Sequence, residues 1–537
     1  MSRRPTVTLV AAAAALVCAC AQPSDEGPDA PAVADAPLSW RVGRPPRAPT
    51  PALTARTSRG DLAVTAARLA LDPADLLRGV LHVTTSRPAR VEAWLEDLDD
   101  GVLTAVPVAS EARTEHAAWV LGLRGSARFR VVVRAEAGGR VAKGATAVVT
   151  TPPPPYWSAR LVETVPRAGG PSQALTMMQI YGLSGEGPPT YVVVVDDRGR
   201  IVWRWAPEPL PLTHVEWRSD GTLLALDAEV LRVLDPLGDE LLAVPRQAMR
   251  DADYLHHAVT TLPDGGLMIL ATELRTIGGY PATTPGGSTQ DVVGDRLLEL
   301  TPDGEVRAQH LLLDLLDPHR VTPLFTVDFF DPVYPGRRTR DWSHATSLAY
   351  DARSDALVAS LRHQHQVVAV SRATGELAWV LGEGGDVPLE PGGSWFYAAH
   401  GVRVGPDDHV TVFDNGVGRP APGAPWSRAV EYALDRDGAG EVVGARQVWQ
   451  WRGATPFFSP IFGSVERLPG GLVLVNDGGH GSGLGGWARV VEVTHDEAAT
   501  VVHELTTASS PPVWSYRAQR IPSLYPPEPV PVPPWAP

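Results

Sequence analysis

The chain of 537 residues has only two cysteines, Cys18 and Cys20. Both sit at its start, so no disulfide framework can hold its body and the fold must rest on its own packing. It has no surplus of positive charge. A net charge of -14 excludes a broad phosphate-binding face, and no nucleic-acid partner is expected. It has no long run of like charge, which excludes a charged interaction tail. It has neither a Walker-type loop nor a strand-linked Gly-x-Gly-x-x-Gly, so no nucleotide cofactor is expected. Its opening apolar run, Thr6 to Val17, is too short to span a bilayer as a mature helix. What it has in abundance is turn residues. The 51 glycines and 52 prolines, set between short apolar runs, point to an all-β protein, and the length calls for two or three domains.

Arg3 and Arg4 followed by the apolar run read as an export signal. The segment Val17-Cys18-Ala19-Cys20 resembles the lipobox of bacterial lipoproteins. The expectation is a signal peptide over 1–20, cleavage after Ala19, and a lipid on Cys20, which places the protein in the cell envelope. An ordinary secretory signal cut nearby is the other reading. Residues 21–51, rich in Pro, Ala and Asp, read as a disordered tether. Over 52–151, short alternating runs such as Arg128-Phe-Arg-Val-Val-Val-Arg-Ala predict a small β-sandwich, similar in pattern to a fibronectin type III or immunoglobulin-like module. Pro152 to Pro155 closes it as a stiff linker.

From 156 to 521 an internal repeat governs the pattern. Each unit has an apolar strand, a Gly/Asp turn and a second strand, as in His214-Val-Glu-Trp-Arg-Ser-Asp-Gly-Thr-Leu-Leu-Ala-Leu. Further copies begin at His257, His344, His400 and Gly463, and Tyr191 to Trp205 has the same form. About six such units predict a six-bladed β-propeller. Residues 522–537 read as a proline-rich tail lying loose on the surface.

The innermost strand of each propeller blade lines the central channel, so strand starts converge there. His214, His257, His344 and His400 stand at or next to four such starts. One such histidine commonly just hydrogen-bonds to the next blade, a task other polar residues also perform. Four at equivalent positions point either to nucleophilic and acid–base catalysis or to a metal site.

Three motifs carry a family resemblance. Asp341-Trp-Ser-His-Ala-Thr with Ser360-Leu-Arg-His-Gln, Thr374-Gly-Glu-Leu-Ala-Trp-Val-Leu-Gly, and His400 followed by Val412-Phe-Asp-Asn-Gly and Arg419 resemble, in order, those of the bacterial aryl-sulfate sulfotransferases. Phe458-Ser-Pro-Ile-Phe-Gly-Ser with Arg467-Leu-Pro-Gly-Gly continues the match. The resemblance implies sulfuryl transfer between small phenolic donors and acceptors through a sulfohistidine, without a cofactor or metal. It places His400 as nucleophile, His344 and Arg362 on the sulfuryl oxygens, and His257 as another channel histidine. Thr346, His256, Asn415 and Arg419 are the expected substrate-binding residues, with His257 or His256 as the acid for the departing phenolate. Two departures stand out. Thr346 replaces the family's usual Asn, leaving a hydroxyl to donate to sulfuryl oxygen, and Ala258 replaces an Asp. Trp342, Trp395, Phe396 and Tyr397 are candidates to stack on the aryl ring or to pack the core.

Two other readings share these residues. One is an envelope propeller that binds without turnover. The other is a metalloenzyme using the same channel histidines; His363 and His365, a His-x-His pair whose side chains share one strand face, offer a further place for a metal.

Overall fold

In the computed structural model, residues 61–532 are described, apart from 156–157, 169–173, 183–188, 207–210, 250–251, 285, 327–328, 421–422, 482–484, 509, 528–529 and 531. The expected signal, lipobox cysteine and tether lie outside the described residues. Two β units follow one another along the chain.

The first is a two-layered, seven-stranded unit organised by one bent strand, Gly79–Asp97. Its first half pairs with Val64–Leu71 and Arg113–Val120, and its second half with Arg128–Ala137 and Val102–Val106. The register breaks between Thr84 and Ala89, a stretch containing Pro88, which cannot donate to a ladder. A single strand therefore serves both layers. Alternate residues of Arg128–Ala137 turn inward, and Phe129, Val131 and Val133 meet Leu81, Val83 and Val91 in the core.

The second unit is a six-bladed propeller. Its inner strands are, in circular order, Val513–Ile521, Leu212–Trp217, Leu255–Thr261, Ala345–Asp351, His400–Val404 and Ser464–Leu468. We number the blades one to six in that order. Blade one takes its inner strand from the end of the chain and its other three from Leu175–Gly182, Thr190–Val195 and Ile201–Trp205. Blade six is extended at its outer edge by Leu161–Val165. The ring is thus fastened twice, by strands from opposite ends of the propeller segment, which leaves no open seam.

The sequence pattern explains the stacking. Middle strands such as Thr190–Val195 and Ala356–Leu361 are buried at every residue, because both faces of a blade pack on neighbours. Each adjacent pair of blades shares one apolar cluster; between blades four and five, for example, Val358, Trp379 and Leu381 meet Val412, Val430 and Tyr432. Among the described residues no helix is long and apolar enough to cross a membrane.

The start of the proline-rich tail is not loose. Leu524 joins the cluster between blades one and two together with Leu121 of the sandwich. The Tyr525 hydroxyl accepts the Leu121 N–H at 2.9 Å and donates to the Leu121 carbonyl at 3.3 Å. An apolar side chain and a phenol within the run give it something to bury, which the proline count obscures.

Candidate active site

The channel residues reach their positions through a repeated local irregularity. The pairing of inner strand with second strand shifts register at Leu212/His214, Leu255/Val259, Ala345/Ser347, His400/Arg403 and Ser515/Arg517. Five of six inner strands therefore bulge where the channel residue stands, which turns that side chain out of the ladder. The backbone is left-handed at His257 (φ 55°) and His344 (φ 45°), conformations that β-carbon-bearing residues seldom adopt. After His400 the same geometry falls on Gly401 (φ 62°), where an added Cβ would lie 2.7 Å from the Ser464 Cα. Glycine meets both demands there.

His257, His344, His400 and Arg362 come together. The His257 and His344 rings are 4.8 Å apart, and Tyr516 lies 6.3 Å from His257 and 6.1 Å from His400. Arg362 sits in the turn between Ala356–Leu361 and Gln366–Ser371, donating its N–H to the His344 carbonyl at 3.2 Å and Nη2 to the Pro460 carbonyl at 3.0 Å. Burial first, and then positive neighbours including Arg362, hold His400 and His344 well below the ordinary imidazole range. Burial and the surrounding histidines do the same to His257. All three imidazoles are therefore neutral near pH 7, with lone pairs free for bond formation or hydrogen bonding, while Arg362 and Arg517 supply the positive charge. The arrangement suits an anion.

Behind these rings stand two buried carboxylates. Asp341 contacts His344 Nδ1 through Oδ2 and accepts from His363 Nδ1 through its carbonyl at 2.8 Å. Burial raises the Asp341 carboxyl to about 7, with the imidazole of His363 opposing the rise. Asp295 lies 2.8 Å from His256 Nε2 and accepts the Ala345 N–H at 2.6 Å. Asp341, His344 and His363 bring one ligating atom each within 4.8 Å of one another. Both Nδ1 atoms there contact Asp341, His344 through its carboxylate and His363 through its carbonyl.

Other expected substrate contacts fall elsewhere. Thr346 borders a cavity of about 10 Å³ beside His400, but its hydroxyl donates to the Ala399 carbonyl at 3.0 Å and has no second proton for a sulfuryl oxygen. Asn415 donates both amide protons to backbone, Ser459 O at 2.6 Å and Phe462 O at 2.9 Å, and so ties blade five to blade six. Arg419 is paired with Asp414 and lies 3.8 Å over the Trp426 ring. His256 is 1% exposed and sits behind His257. His214 points its Nδ1 to the His257 carbonyl at 3.3 Å, the blade-locking role open to any single histidine. His363 and His365 occupy a turn, where strand alternation does not apply. His365 Nδ1 accepts the Ala398 N–H at 3.0 Å instead of facing His363.

The aromatic candidates are packed as well. Trp342 and Phe396 are core residues, and Tyr397 adjoins His365 and Arg419. Among the described residues, rings that border the histidines include Phe329, 4.9 Å from His344, Phe330, 6.3 Å from His344, and Tyr516. Tyr516 and Arg517 went unseen because no repeat marks them. Only the knowledge that the last strand closes blade one would have placed them in the channel.

A propeller channel lined with buried neutral imidazoles and guanidinium groups defines a class of anion-handling sites. The chain belongs to the arylsulfotransferase (ASST) family, whose family model matches residues 171–517. It is 27% identical to the arylsulfate sulfotransferase AssT of Escherichia coli O6:H1 over 303 residues, 46% of this chain and 48% of that protein. It is 25% identical to AssT of Lelliottia amnigena over 301 residues, with the same shares. The chain thus spans about half the length of the curated relatives it matches. Among solved structures, a Bacteroides caccae protein of unknown function aligns with 66% of this chain and all of its own, at 13% identity and a TM-score of 0.41.

Proposed function

We propose that the protein transfers the sulfuryl group of an aryl sulfate to a phenolic acceptor through a covalent intermediate on His400. A ring nitrogen of His400 attacks sulfur; the N–S bond forms as the S–O(aryl) bond breaks, and its electron pair leaves on the aryl oxygen. The departed phenol is then replaced by the acceptor, whose oxygen attacks the same sulfur as the N–S bond breaks. Donor and acceptor use the pocket in turn, so kinetics are ping-pong. His344 and Arg362 stabilise the charge that spreads over the sulfuryl oxygens, as fixed donors do in phosphoryl transfer. The export signal and Cys20 anchor belong to the same proposal, with the enzyme held at the cell envelope and its membrane contact made by the lipid.

The observation that carries this reading is the meeting of His257, His344, His400 and Arg362, in a member of this family, with all three imidazoles kept neutral. The test uses a chromogenic aryl sulfate with chelator present and no nucleotide. Chromophore release that accelerates with added phenol is expected. His400→Asn should lower it at least about 10³-fold with the melting profile unchanged; a variant keeping most activity removes His400 from the role. A second reading, binding without turnover, is favoured by the committed Thr346 hydroxyl. It predicts ligand binding with no chromophore release from any donor.

A further inference from the structure

Sulfuryl transfer between phenols moves a proton twice. The departing phenolate must gain one and the attacking phenol must lose one. The nucleophile does not carry that proton, since His400 is neutral when it attacks. The channel places a second imidazole against the nucleophile's neighbours, and this one is backed by a chain of buried polar groups. His257 Nδ1 lies 2.9 Å from His256 Nδ1, and His256 Nε2 lies 2.8 Å from Asp295 Oδ1. His256 and Asp295 are each 1% exposed, and the Phe330 ring packs 5.6 Å from that of His256. No solvent reaches the inner two members.

The geometry points to Asp295, His256 and His257 as a three-membered proton relay, with His257 exchanging the proton with the phenols, His256 storing it, and Asp295 as the positioning residue that holds the stored charge. This rests on the sulfuryl transfer proposed above.

The tautomers follow from the contacts. A carboxylate beside His256 Nε2 draws the ring proton to that nitrogen, leaving a lone pair on His256 Nδ1. The short Nδ1–Nδ1 contact then requires the proton of neutral His257 to sit on Nδ1, so His257 Nε2 carries a lone pair. In this state the relay is a base. An acceptor phenol gives its proton to His257 Nε2, the Nδ1 proton of His257 passes to His256 Nδ1, and His256 becomes an imidazolium beside Asp295. In that second state His257 Nε2–H is a donor, and the next aryl sulfate receives the proton on its departing oxygen as the steps reverse. One proton is taken up and one returned per cycle, and no further reactant is needed.

The charges around the relay favour storage at its inner end. His257 faces His344, His400 and Arg362, and these together with burial disfavour a positive charge on its own ring. His256 faces Asp295. Burial pushes the Asp295 carboxyl up, but His256 and the Ala345 N–H outweigh it and keep the group below its usual range, so it remains a carboxylate. The 2.8 Å contact is bent away from hydrogen-bond alignment, so Asp295 acts chiefly by charge.

The test separates proton delivery from fold. Aryl sulfates with leaving groups from 4-nitrophenol, which departs without help, to unsubstituted phenol, which needs the proton, are ³⁵S-labelled. The rate of enzyme labelling is then measured for wild type, Asp295→Asn and His256→Gln. Both variants should lose more with poorer leaving groups, the loss growing at least about thirtyfold across the series, within the range for general acid–base catalysis. A loss equal for all donors, or none, overturns the relay. Label stoichiometry counts the folded sites, and His256→Gln keeps the Asp295–Ala345 bond should Asp295→Asn fold poorly. Absence of label from every donor in the wild type overturns the His400 intermediate itself, a result distinct from a flat series.

Discussion

Acid should unfold this protein at a pH where its nucleophile is still active. Burial, foremost, holds His214 at about 4, His363 at about 3 and His365 at about 4 in the folded chain, against an ordinary 6.5. A group whose folded pKa is depressed contributes stability that is present above its unfolded pKa and is lost as pH falls towards the folded one. Each pKa unit of difference corresponds to about 1.4 kcal/mol, so at pH 4.5 the three histidines together have withdrawn about 8 kcal/mol. Asp341 acts in the opposite sense. Its folded pKa of about 7 exceeds the unfolded value, so burying its charge costs stability at neutral pH, and acidification returns about 3 kcal/mol. The net loss between pH 7.5 and 4.5 is about 5 kcal/mol, before any contribution from His257, His344 and His400, whose pKa values are lowered in the same direction. That is a large part of the stability of a typical domain. Denaturant titrations followed by tryptophan fluorescence at pH 7.5, 6.0 and 4.5 should show the midpoint falling steadily, and His214→Gln should remove about a third of the histidine contribution. A midpoint unchanged or rising on acidification would refute the reasoning. His400 is already unprotonated over this range, so its own protonation does not limit activity as the pH falls.

Asp341→Asn removes a buried charge while keeping the shape beside His344. It should raise stability at pH 8 by up to about 4 kcal/mol, yet reduce turnover because Asn no longer selects the His344 proton position; paired denaturation and transfer assays check both signs. Leu524→Ala empties a buried site between sandwich and propeller and should cost about 2–5 kcal/mol, read as a lower denaturation midpoint with transfer kinetics unchanged at low temperature.

Much of the fold was legible because propeller blades repeat locally. A Gly/Asp turn between two apolar runs recurs from His214 to Gly463, and continuous apolar middle strands such as Thr190–Val195 require cover on both faces. His257, His344 and His400 were legible for the same reason, since an equivalent place in each repeat becomes a shared place in the ring. Side-chain direction was less legible. Thr346, Asn415 and Arg419 lie in the right motifs, but they spend their hydrogen bonds on Ala399, on Ser459 and Phe462, and on Asp414. His363 and His365 were read as strand residues, whereas the chain turns there.

The sequence by itself determined the all-β class, the blade count and the ring of histidines, because these depend on periodicity and on residue type at repeated positions. Tertiary structure alone decided three further features. Closure by Val513–Ile521 brings Tyr516 and Arg517 into the channel from the far end of the chain. Asp295 and Asp341 stand behind the histidines, a relation across strands that no local pattern encodes. The protonation states follow from burial, because removing an imidazole from water favours its neutral form, and only the packed fold removes it.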